Sequence, residues 1–304
     1  MTFIESISAF HSLAHLPAPL HPLVSVFRVT DIRLEDAAIW KQYAVNFYSI
    51  SLKKGVQGKI KYGQQYYDFD KGTMTFVAPK QVQSLDLSDG DVLDRTYSGG
   101  HALLIHPDFL YKHPLAQTIK NYGFFSYAVN EALQLSEKEE QNITGIFQKI
   151  EEEYQHIDRH TQEIILSQIE LLLNYSKRFY ERQFITRRAV NHDLLAMMEQ
   201  ILDEYFNDGK ALQSGLPTVE ILAARLNLTP HYLSDMLRSL TGQSAQQHIQ
   251  DRILEKAKEL LTLTNLSVAE IPYQLGFGYP QSFNKLFRKK TNLSPLEFRE
   301  AFNL

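Results

Sequence analysis

The sequence predicts an α+β fold, in which a small N-terminal β-barrel with flanking helices precedes an all-α C-terminal domain. Short segments rich in β-branched and aromatic residues, interrupted by glycine and proline, run to about residue 106. After Pro107 the apolar residues recur at helical spacing instead. The length of 304 residues agrees with this division, since domains of ~100–200 residues imply about two of them.

The composition excludes several classes of protein. The chain has no cysteine, which excludes disulfide bonds, thiol catalysis and thiolate metal sites. No apolar run reaches the ~18 residues that a membrane helix needs, and the segment from Met1 to Pro22 lacks the pattern of a signal peptide. We therefore expect a cytoplasmic protein with no membrane partner. Because the net charge is −4, any attraction for a polyanion must come from a local basic patch.

The N-terminal strands are predicted from partial alternation of apolar and polar residues. Val24–Val29 and Asn46–Leu52 favour β-branched or aromatic residues, and turns follow at Pro79 and at the pair Gly99 and Gly100. Many short strands without intervening helices indicate a sandwich or a small barrel. The aromatic residues of these strands either form a plain core or line an apolar ligand pocket. They are Phe27, Phe47, Tyr48, Phe69 and Phe76.

Two long helices are predicted after the strands. Ser136 begins the first with an S-x-x-E capping box, and this helix ends near Gln155. The second runs from about Thr161 to Arg182 and carries apolar residues at coiled-coil-like spacing, namely Ile165, Ile169, Leu172 and Phe179. This stripe either covers the barrel or forms a homodimer seam, and both interpretations stay open. A linker near 183–191 is expected to lead into a helix over 193–206.

The histidines do not predict a metal site. His101 and His106 follow a glycine pair, and we expect polar roles for them at a turn or a strand end. His156 and His160 share a helix face at i, i+4, but no glutamate lies next to them as in H-E-x-x-H. We interpret that face as hydrated surface.

The C-terminal third contains an internal repeat. Val219 and Leu226 match Val268 and Leu275 at an offset of 49 positions. Further along the chain the offset is 50, in the pairs Leu233 with Phe283, Leu237 with Phe287, Arg238 with Arg288, and Thr241 with Thr291. One extra residue therefore lies in the turn of the second copy. Because a fixed offset with one local change rarely arises by chance, the copies are interpreted as one structural unit used twice.

Each copy is predicted to form a helix, a tight turn and a second helix. In the first copy Thr218 caps the first helix and Thr229 caps the second. In the second copy Ser267 and Glu270 form a capping box. The apolar stripes that must face inward are Leu233, Met236, Leu237 and Leu240 in the first copy and Phe283, Leu286 and Phe287 in the second.

The second helices, which begin at Pro230 and Pro280, present polar faces outward. These faces carry His231, Ser234, Asp235 and Arg238 in the first copy and Gln281, Asn284, Lys285 and Arg288 in the second, with Lys289 and Lys290 beside them. Glutamine and asparagine pair with adenine, lysine and arginine bond to guanine, and cations hold phosphates. A solvated helix face is the alternative interpretation, and the duplication of the pattern argues against it.

A helix is predicted between the copies, from Ala245 to Leu263. At ~1.5 Å per residue it is roughly 28 Å long. This length could hold two groove-reading helices about one turn of DNA apart, ~34 Å. The predicted partner is therefore double-stranded DNA.

The residues from about Leu216 to Phe302 resemble the DNA-binding domain of the AraC/XylS family of transcription regulators. The resemblance depends on Ala223, Gly242-Gln243-Ser244, Arg252-Ile253, Ala257, Leu260-Leu261, Ile271, Leu275-Gly276-Phe277, Phe283, Phe287-Arg288-Lys289, Ser294-Pro295 and Phe298-Arg299. It implies a protein that activates or represses transcription and often senses a small molecule through an N-terminal cupin-like barrel. The family's base-contacting positions map onto His231, Ser234 and Asp235 in the first unit and Gln281, Asn284 and Lys285 in the second.

Two residues depart from the family pattern. Pro272 stands where the first unit has Ala223, and a slightly bent but intact helix is expected there. Asp235 is unfavourable beside phosphates, so the first unit is expected to contribute less affinity than the second. In the N-terminal half, Tyr66–Pro79 is similar to the strand–corner–strand of a cupin. The segment that follows, 80–83, has no histidine where a metal cupin has a ligand, which argues against an enzyme.

The resemblance divides the chain into a cupin-like sensing barrel (1–130), a helical dimerisation and linker region (131–190) and an AraC-type DNA-binding domain (191–304). The helix-turn-helix units lie at about 218–242 and 267–291. The residues expected to bind DNA are His231, Ser234, Asp235, Arg238, Gln281, Asn284, Lys285, Arg288 and Lys289.

The expected function is sequence-specific, effector-responsive transcription regulation by a nucleoid-associated homodimer, with no catalytic residues, cofactor or metal. The expected partners are promoter DNA, a small organic effector whose binding residues are not identified, and RNA polymerase. The alternative is a metal-dependent cupin enzyme with a DNA-binding appendage.

Overall fold

The computed structural model describes residues 1–55, 60–62, 65–67, 72–84, 98–128, 131–186 and 188–302. The chain divides into two compact units, Met1–Gln183 and Phe184–Leu304. All the strands of the described residues belong to the first unit, whereas the second is built from helices. The predicted α+β class is confirmed at this level.

The strands of the first unit form three sheets. They are β1 (Thr2–Ile4), β2 (Val24–Arg28), β3 (Tyr43–Val45), β4 (Tyr48–Lys54), β5 (Ile60–Tyr62), β6 (Gln65–Tyr67), β7 (Thr73–Val77), β8 (Val82–Gln83), β9 (Gly99–Ile105) and β10 (Leu133–Gln134). An antiparallel sheet has the order β10-β7-β4-β9-β2, a second sheet has the order β1-β3-β8, and β5 pairs with β6. Within the described ranges these sheets do not close into a barrel, so the barrel stays a prediction. Residues 68–71 of the cupin-like motif, Phe69 included, lie outside the described residues.

The helices of the first unit lie mainly after the strands. They are α1 (Ile7–Leu13), α2 (Ala37–Trp40), α3 (Leu115–Thr118), α4 (Glu137–Gln155) and α5 (Thr161–Thr186). Short 3₁₀ turns occupy Val29–Asp31, Pro107–Leu110, Ile119–Asn121 and Gly123–Ser126. The capping box predicted at Ser136 is confirmed, with the Ser136 N–H donating to Glu139 Oε2 at 2.8 Å.

The two faces of the five-stranded sheet contact different neighbours. On one face Leu52 pairs with both Met74 and His101, and helices α4 and α5 cover these side chains. On the other face Phe27 and Leu104 join the core formed by β1, α1 and β3. The sheet is therefore buried on both sides, which is why its strands show only partial alternation.

Helix α5 resolves one alternative of the sequence and corrects a boundary. Its predicted stripe, Ile165, Ile169, Leu172 and Phe179, is buried, and so this stripe covers the sheet. The linker predicted near 183–191 is wrong, because α5 continues to Thr186 and the next helix begins at Arg188. Two contacts explain the continuation. Gln183 accepts from the Gln134 N–H at 2.7 Å, and Phe184 packs edge-on against Tyr232 at 5.2 Å between ring centroids.

The second unit contains eight described helices. They are α6 (Arg188–Asn207), α7 (Lys210–Ser214), α8 (Val219–Arg225), α9 (Pro230–Thr241), α10 (Ala245–Leu263), α11 (Ile271–Gln274), α12 (Pro280–Thr291) and α13 (Pro295–Phe302). Helix α10 has the bounds that the sequence predicts and buries Ile249, Ile253, Ala257 and Leu261. It contacts α8, α9, α11 and α13, and thus joins both copies of the repeat. No helix of the described chain has the length and apolar character that crossing a membrane requires.

Candidate DNA-binding interface

The sequence repeat is also a repeat of backbone geometry. In the first copy the Leu228 N–H donates to the Ala223 carbonyl at 2.9 Å, and in the second the Phe277 N–H donates to the Pro272 carbonyl at 2.9 Å. The residue before each donor, Asn227 or Gly276, has a positive φ. These pairs keep the offset of 49. Each unit therefore ends its first helix with the same left-handed turn.

The repeat continues past the recognition helices α9 and α12. Both helices end at a left-handed residue, Gly242 in the first copy and Asn292 in the second. The hydroxyls of Thr241 and Thr291 donate to carbonyls four residues earlier, each at 2.8 Å. A capping box follows in each copy, between Ser244 and Gln247 and between Ser294 and Glu297. The repeated unit is thus longer than a helix-turn-helix and includes the start of a third helix.

The turn of the second helix-turn-helix copy is held by a close approach between two backbone segments. Gly276 has φ of +90°, and a Cβ added there would lie 2.5 Å from the carbonyl carbon of Gly215. Only glycine fits this position, because both the conformation and the contact exclude a side chain. The contact fixes the second turn against the segment that precedes α8.

Pro272 lies at the start of a short helix, and the bend that the sequence predicts there stays a prediction. Helix α11 begins at Ile271, so Pro272 lies in the first turn, where no backbone donor is lost. The hydrogen bonds of the predicted capping box are nevertheless present, with the Ser267 N–H donating to Glu270 Oε2 at 2.7 Å. The α-helical part of this element is four residues long, Ile271–Gln274.

The first recognition helix, α9, presents a nearly neutral polar face. Thr229 caps it by accepting from the Tyr232 N–H at 3.3 Å. His231 is exposed and Ser234 is half-buried. Arg238 Nη1 contacts Asp235 Oδ1 at 2.8 Å on the same face, so that the two charges offset each other.

The second recognition helix, α12, presents a strongly basic face. Its predicted contact residues are all exposed, namely Gln281, Asn284, Lys285, Arg288 and Lys289. Phe283 and Phe287 are buried on the opposite side, as predicted. Lys290 bonds to Asp251 Oδ1 at 2.7 Å, whereas the described residues give Lys285, Arg288 and Lys289 no ion pair. Three cations therefore remain available to an anionic partner.

Sequence reasoning missed one exposed residue of this surface. Tyr279 precedes Pro280 at the start of α12, and 73% of its surface is exposed. Its counterpart, Thr229, caps α9 with its side chain, but Tyr279 makes no such capping bond. The extra residue in the second turn is the signal that could have revealed it, because the insertion places an aromatic side chain beside the recognition helix.

Helix α10 is clamped at its end by an arginine. Arg299 Nε donates to the Leu261 carbonyl at 2.9 Å, and its Nη1 donates to the Leu266 carbonyl at 2.7 Å. Leu261 is among the last four residues of α10, whose carbonyls have no partner within the helix, and Leu266 lies in the connection after it. Arg299 thereby joins α13 of the second copy to the helix between the copies.

Outside this surface, one predicted histidine role is wrong. His101 lies within β9 and is only 8% exposed, so it does not occupy a polar turn. Its ring stacks on Phe147 at 5.5 Å, and its Nε2 is 3.5 Å from Glu151 Oε2. Burial lowers the pKa of His101. His156 and His160 are exposed, as predicted. In the ranges that the structure describes, no three histidine or acidic side chains are placed to hold a metal.

Residues 222–301 match the family model described as a helix-turn-helix domain. With the repeated geometry, this match defines the class: the chain is a DNA-binding transcription regulator. It is 24% identical to the HTH-type transcriptional activator RhaS of Salmonella schwarzengrund over 309 residues, 99% of this chain and 98% of that protein. RhaS of Salmonella dublin is 25% identical over 310 residues, with the same coverage. The chain is thus similar to these activators over nearly its whole length, and its residues 222–301 carry the helix-turn-helix domain of the matched model.

Two solved structures are similar to the C-terminal part of the chain. The C-terminal domain of the response regulator yesN from Fusobacterium nucleatum is 29% identical, covers 35% of this chain and 98% of its own, and has a TM-score of 0.31. The C-terminal domain of AraT from Geobacillus stearothermophilus is 29% identical, covers 36% of this chain and 84% of its own, and has a TM-score of 0.31.

Proposed function

We propose that this chain is a dimeric, effector-responsive transcription activator that reads DNA with both helix-turn-helix units. The observation that carries the proposal is the duplicated unit, whose second recognition helix exposes three unpaired cations among the described residues. The RhaS proteins that match the whole chain are named transcriptional activators. This supports activation in preference to repression.

The contacts on DNA differ between the two recognition helices. In α12, Gln281 and Asn284 suit adenine edges and Lys285 suits guanine, while Arg288 and Lys289 hold phosphates. In α9, His231 and Ser234 read base edges near the pair formed by Asp235 and Arg238. Tyr279 adds an aromatic ring and a hydroxyl at the start of α12. Most of the affinity for DNA then comes from the second helix-turn-helix copy.

The N-terminal region, about 1–130, acts as the sensing domain. A sheet of five strands and a sheet of three strands enclose the core around Trp40 and Phe47, which agrees with a cupin-like arrangement. The match to RhaS over nearly the whole chain also favours a regulator with a resident N-terminal domain. A small organic effector is the ligand expected there.

The helical region, about 131–190, forms the homodimer. Ile164 and Leu171 are exposed large apolar residues, seven positions apart on the solvent face of α5. The first half of that surface carries Glu163 and Glu170, and the second half carries Lys177 and Arg178. Two copies paired antiparallel would place acids against bases. RNA polymerase is the further partner expected at the promoter.

A mobility-shift assay with the protein's own promoter region tests DNA reading by the second unit. The double variant Lys285→Glu and Arg288→Glu should bind at least ~30-fold more weakly, since it loses a base contact and a phosphate contact worth about 1–3 kcal/mol each. Lys138→Glu with Lys149→Glu makes the same change in net charge on exposed positions of α4 and should leave binding unchanged. Equal loss in both double variants would contradict the proposed interface.

Sedimentation of the full chain tests the dimer. The variant Ile164→Lys with Leu171→Lys changes only exposed side chains, so it should fold but sediment as a monomer. A dimer that persists in this variant at the same protein concentration would refute the α5 surface.

A further inference from the structure

A cleft in the N-terminal compact unit lies on the side of the five-stranded sheet that helices cover. The segment before β2, the 3₁₀ turn Pro107–Leu110 and the connection between α4 and α5 form its walls, and its volume is about 230 Å³. Val24 lies at its base, on the same sheet face as Val26, and this face turns away from the three-stranded sheet. The cleft is therefore separate from the core between the two sheets.

The cleft has an apolar part and a hydrogen-bonding part. Val24, Phe109 and Ile157 supply apolar surface, and Ile157 is 45% exposed. His21 packs edge-on against Phe109 at 5.5 Å between centroids. A flat apolar group of a small ligand fits between such walls.

His21 contributes a hydrogen-bond donor to the cleft. Its Nδ1 accepts from the Leu23 N–H at 3.1 Å, which places the ring proton on Nε2. Burial lowers the pKa of His21, so the ring stays neutral at neutral pH. The Nε2–H has no acceptor among the described residues.

Two further donors line the same cleft. The Tyr154 hydroxyl accepts from the Leu20 N–H at 2.7 Å, and its own proton is left for another acceptor. Arg159 uses Nε toward His160 at 2.9 Å, and within the described ranges its guanidinium forms no ion pair. Three residues with donors thus line one small space.

The one acid of the cleft is already satisfied. Asp158 accepts from the backbone N–H of His160 at 2.7 Å and of Thr161 at 3.2 Å, where α5 begins. These bonds, led by the one from His160, lower the pKa of Asp158. Its charge is used to cap the helix, so the cleft keeps a surplus of donors.

We propose that this cleft binds a small organic carboxylate, with its apolar body against Phe109 and Ile157 and its carboxylate on His21, Tyr154 and Arg159. A carboxylate has only acceptors, and it pairs with guanidinium through two parallel bonds. The inference rests on the proposed sensing function, for which it names a ligand class and a second location.

Calorimetry on the full chain tests the site with phenylacetate and its neutral analogue phenylacetamide. Phenylacetate should bind at least about tenfold more tightly, because only the acid forms charge-assisted bonds. Arg159→Gln should weaken phenylacetate binding about tenfold and leave phenylacetamide binding unchanged. Lys120→Gln, another exposed cation of the same unit, should match the unchanged protein.

A second variant keeps the test independent of the arginine. Ile157→Glu places a negative charge at an exposed edge of the cleft and should abolish phenylacetate binding. The site would be overturned if Arg159→Gln bound phenylacetate as tightly as the unchanged protein does. It would also be overturned if no phenylacetate bound at millimolar concentration. The mobility shift of promoter DNA by Arg159→Gln should stay normal. If phenylacetate binds as expected but no effector changes transcription, the sensing proposal fails and the carboxylate site stands.

Discussion

The two recognition helices share one backbone plan and differ in charge. Each has twelve residues, starts at a proline, ends at a left-handed residue and follows a first helix closed by the same turn. Yet α9 pairs its arginine with Asp235, whereas α12 carries four cations and no acid. The buried positions of the repeat preserve the scaffold, and the exposed positions are free to assign different roles to the two copies.

The turns of the two units also differ in what they tolerate. Asn227 takes the left-handed conformation in the first turn, while the second turn requires Gly276 against the backbone of Gly215. Thr229 caps α9 with its side chain, and the inserted residue puts the exposed Tyr279 in the equivalent place. The second helix-turn-helix copy therefore tolerates fewer residue types in its turn and has a more exposed residue at the start of its recognition helix.

Gly276→Ala should have the largest effect. The new Cβ would lie 2.5 Å from the Gly215 backbone, and an alanine would be strained at the φ of +90° that this position has. The second helix-turn-helix copy should therefore lose about 3 kcal/mol or more of stability. Thermal unfolding monitored on the C-terminal transition measures this loss. Gly278→Ala is the matched control in the same turn, because no atom lies within 4 Å of its Cβ. Similar destabilisation by both variants would disprove the close-approach argument.

The paired arginines of the repeat sharpen the comparison of affinity. Arg288→Ala should weaken operator binding roughly 10- to 100-fold and lower the log–log salt slope by about 0.9. Arg238→Ala should weaken binding at most about threefold, since Asp235 already offsets its charge. Titrations at several salt concentrations measure both effects. An equal loss from the two variants would mean that the units contribute equally.

Asp235→Asn should have a smaller effect of opposite sign. The change removes an acid from a DNA-facing helix and releases Arg238 from its ion pair, so affinity should rise about fivefold. The same titration measures it, with Asp251→Asn as a comparison on α10, where Lys290 is the partner released. Unchanged affinity in Asp235→Asn would place α9 away from the phosphates.

The smallest expected difference is one of pH. The backbone N–H of Ser294, and then its hydroxyl, lower the pKa of Glu297, whereas the equivalent residue in the first copy is the non-titrating Gln247. A lowered pKa means that the capping stabilises the folded state above the ordinary glutamate pKa and is lost as the pH falls through the folded value. Amide exchange at the start of α13 should therefore quicken in acid relative to α10. Glu297→Gln should remove this pH dependence.

Features that depend on neighbours in sequence were predictable. The capping boxes, the prolines at the starts of α9 and α12, the bounds of α10 and the inward stripe at Leu233 all follow from local hydrogen bonds and helical periodicity. The extension of α5 through Gln183 was not predictable, because its cause is a bond to Gln134 on a distant strand. The burial of His101 under α4 escaped prediction for the same reason.

The candidate DNA-binding surface also has features that the local sequence predicts and features that depend on distant contacts. Periodicity alone placed Gln281, Asn284 and Lys285 on the outward side of α12, opposite Phe283. The neutralising contact of Lys290 with Asp251 joins two helices and could not be predicted from either. Exposure of Tyr279 depends on how the enlarged second turn packs.

The amino-acid sequence by itself determined that two copies of one helical unit exist, where each begins and which side of each recognition helix is apolar. Those properties arise from interactions within about one helical turn. Only the tertiary structure decided which strands pair, which charges are offset and which cations stay available. These outcomes depend on contacts between residues far apart in the chain, and the local pattern does not specify them.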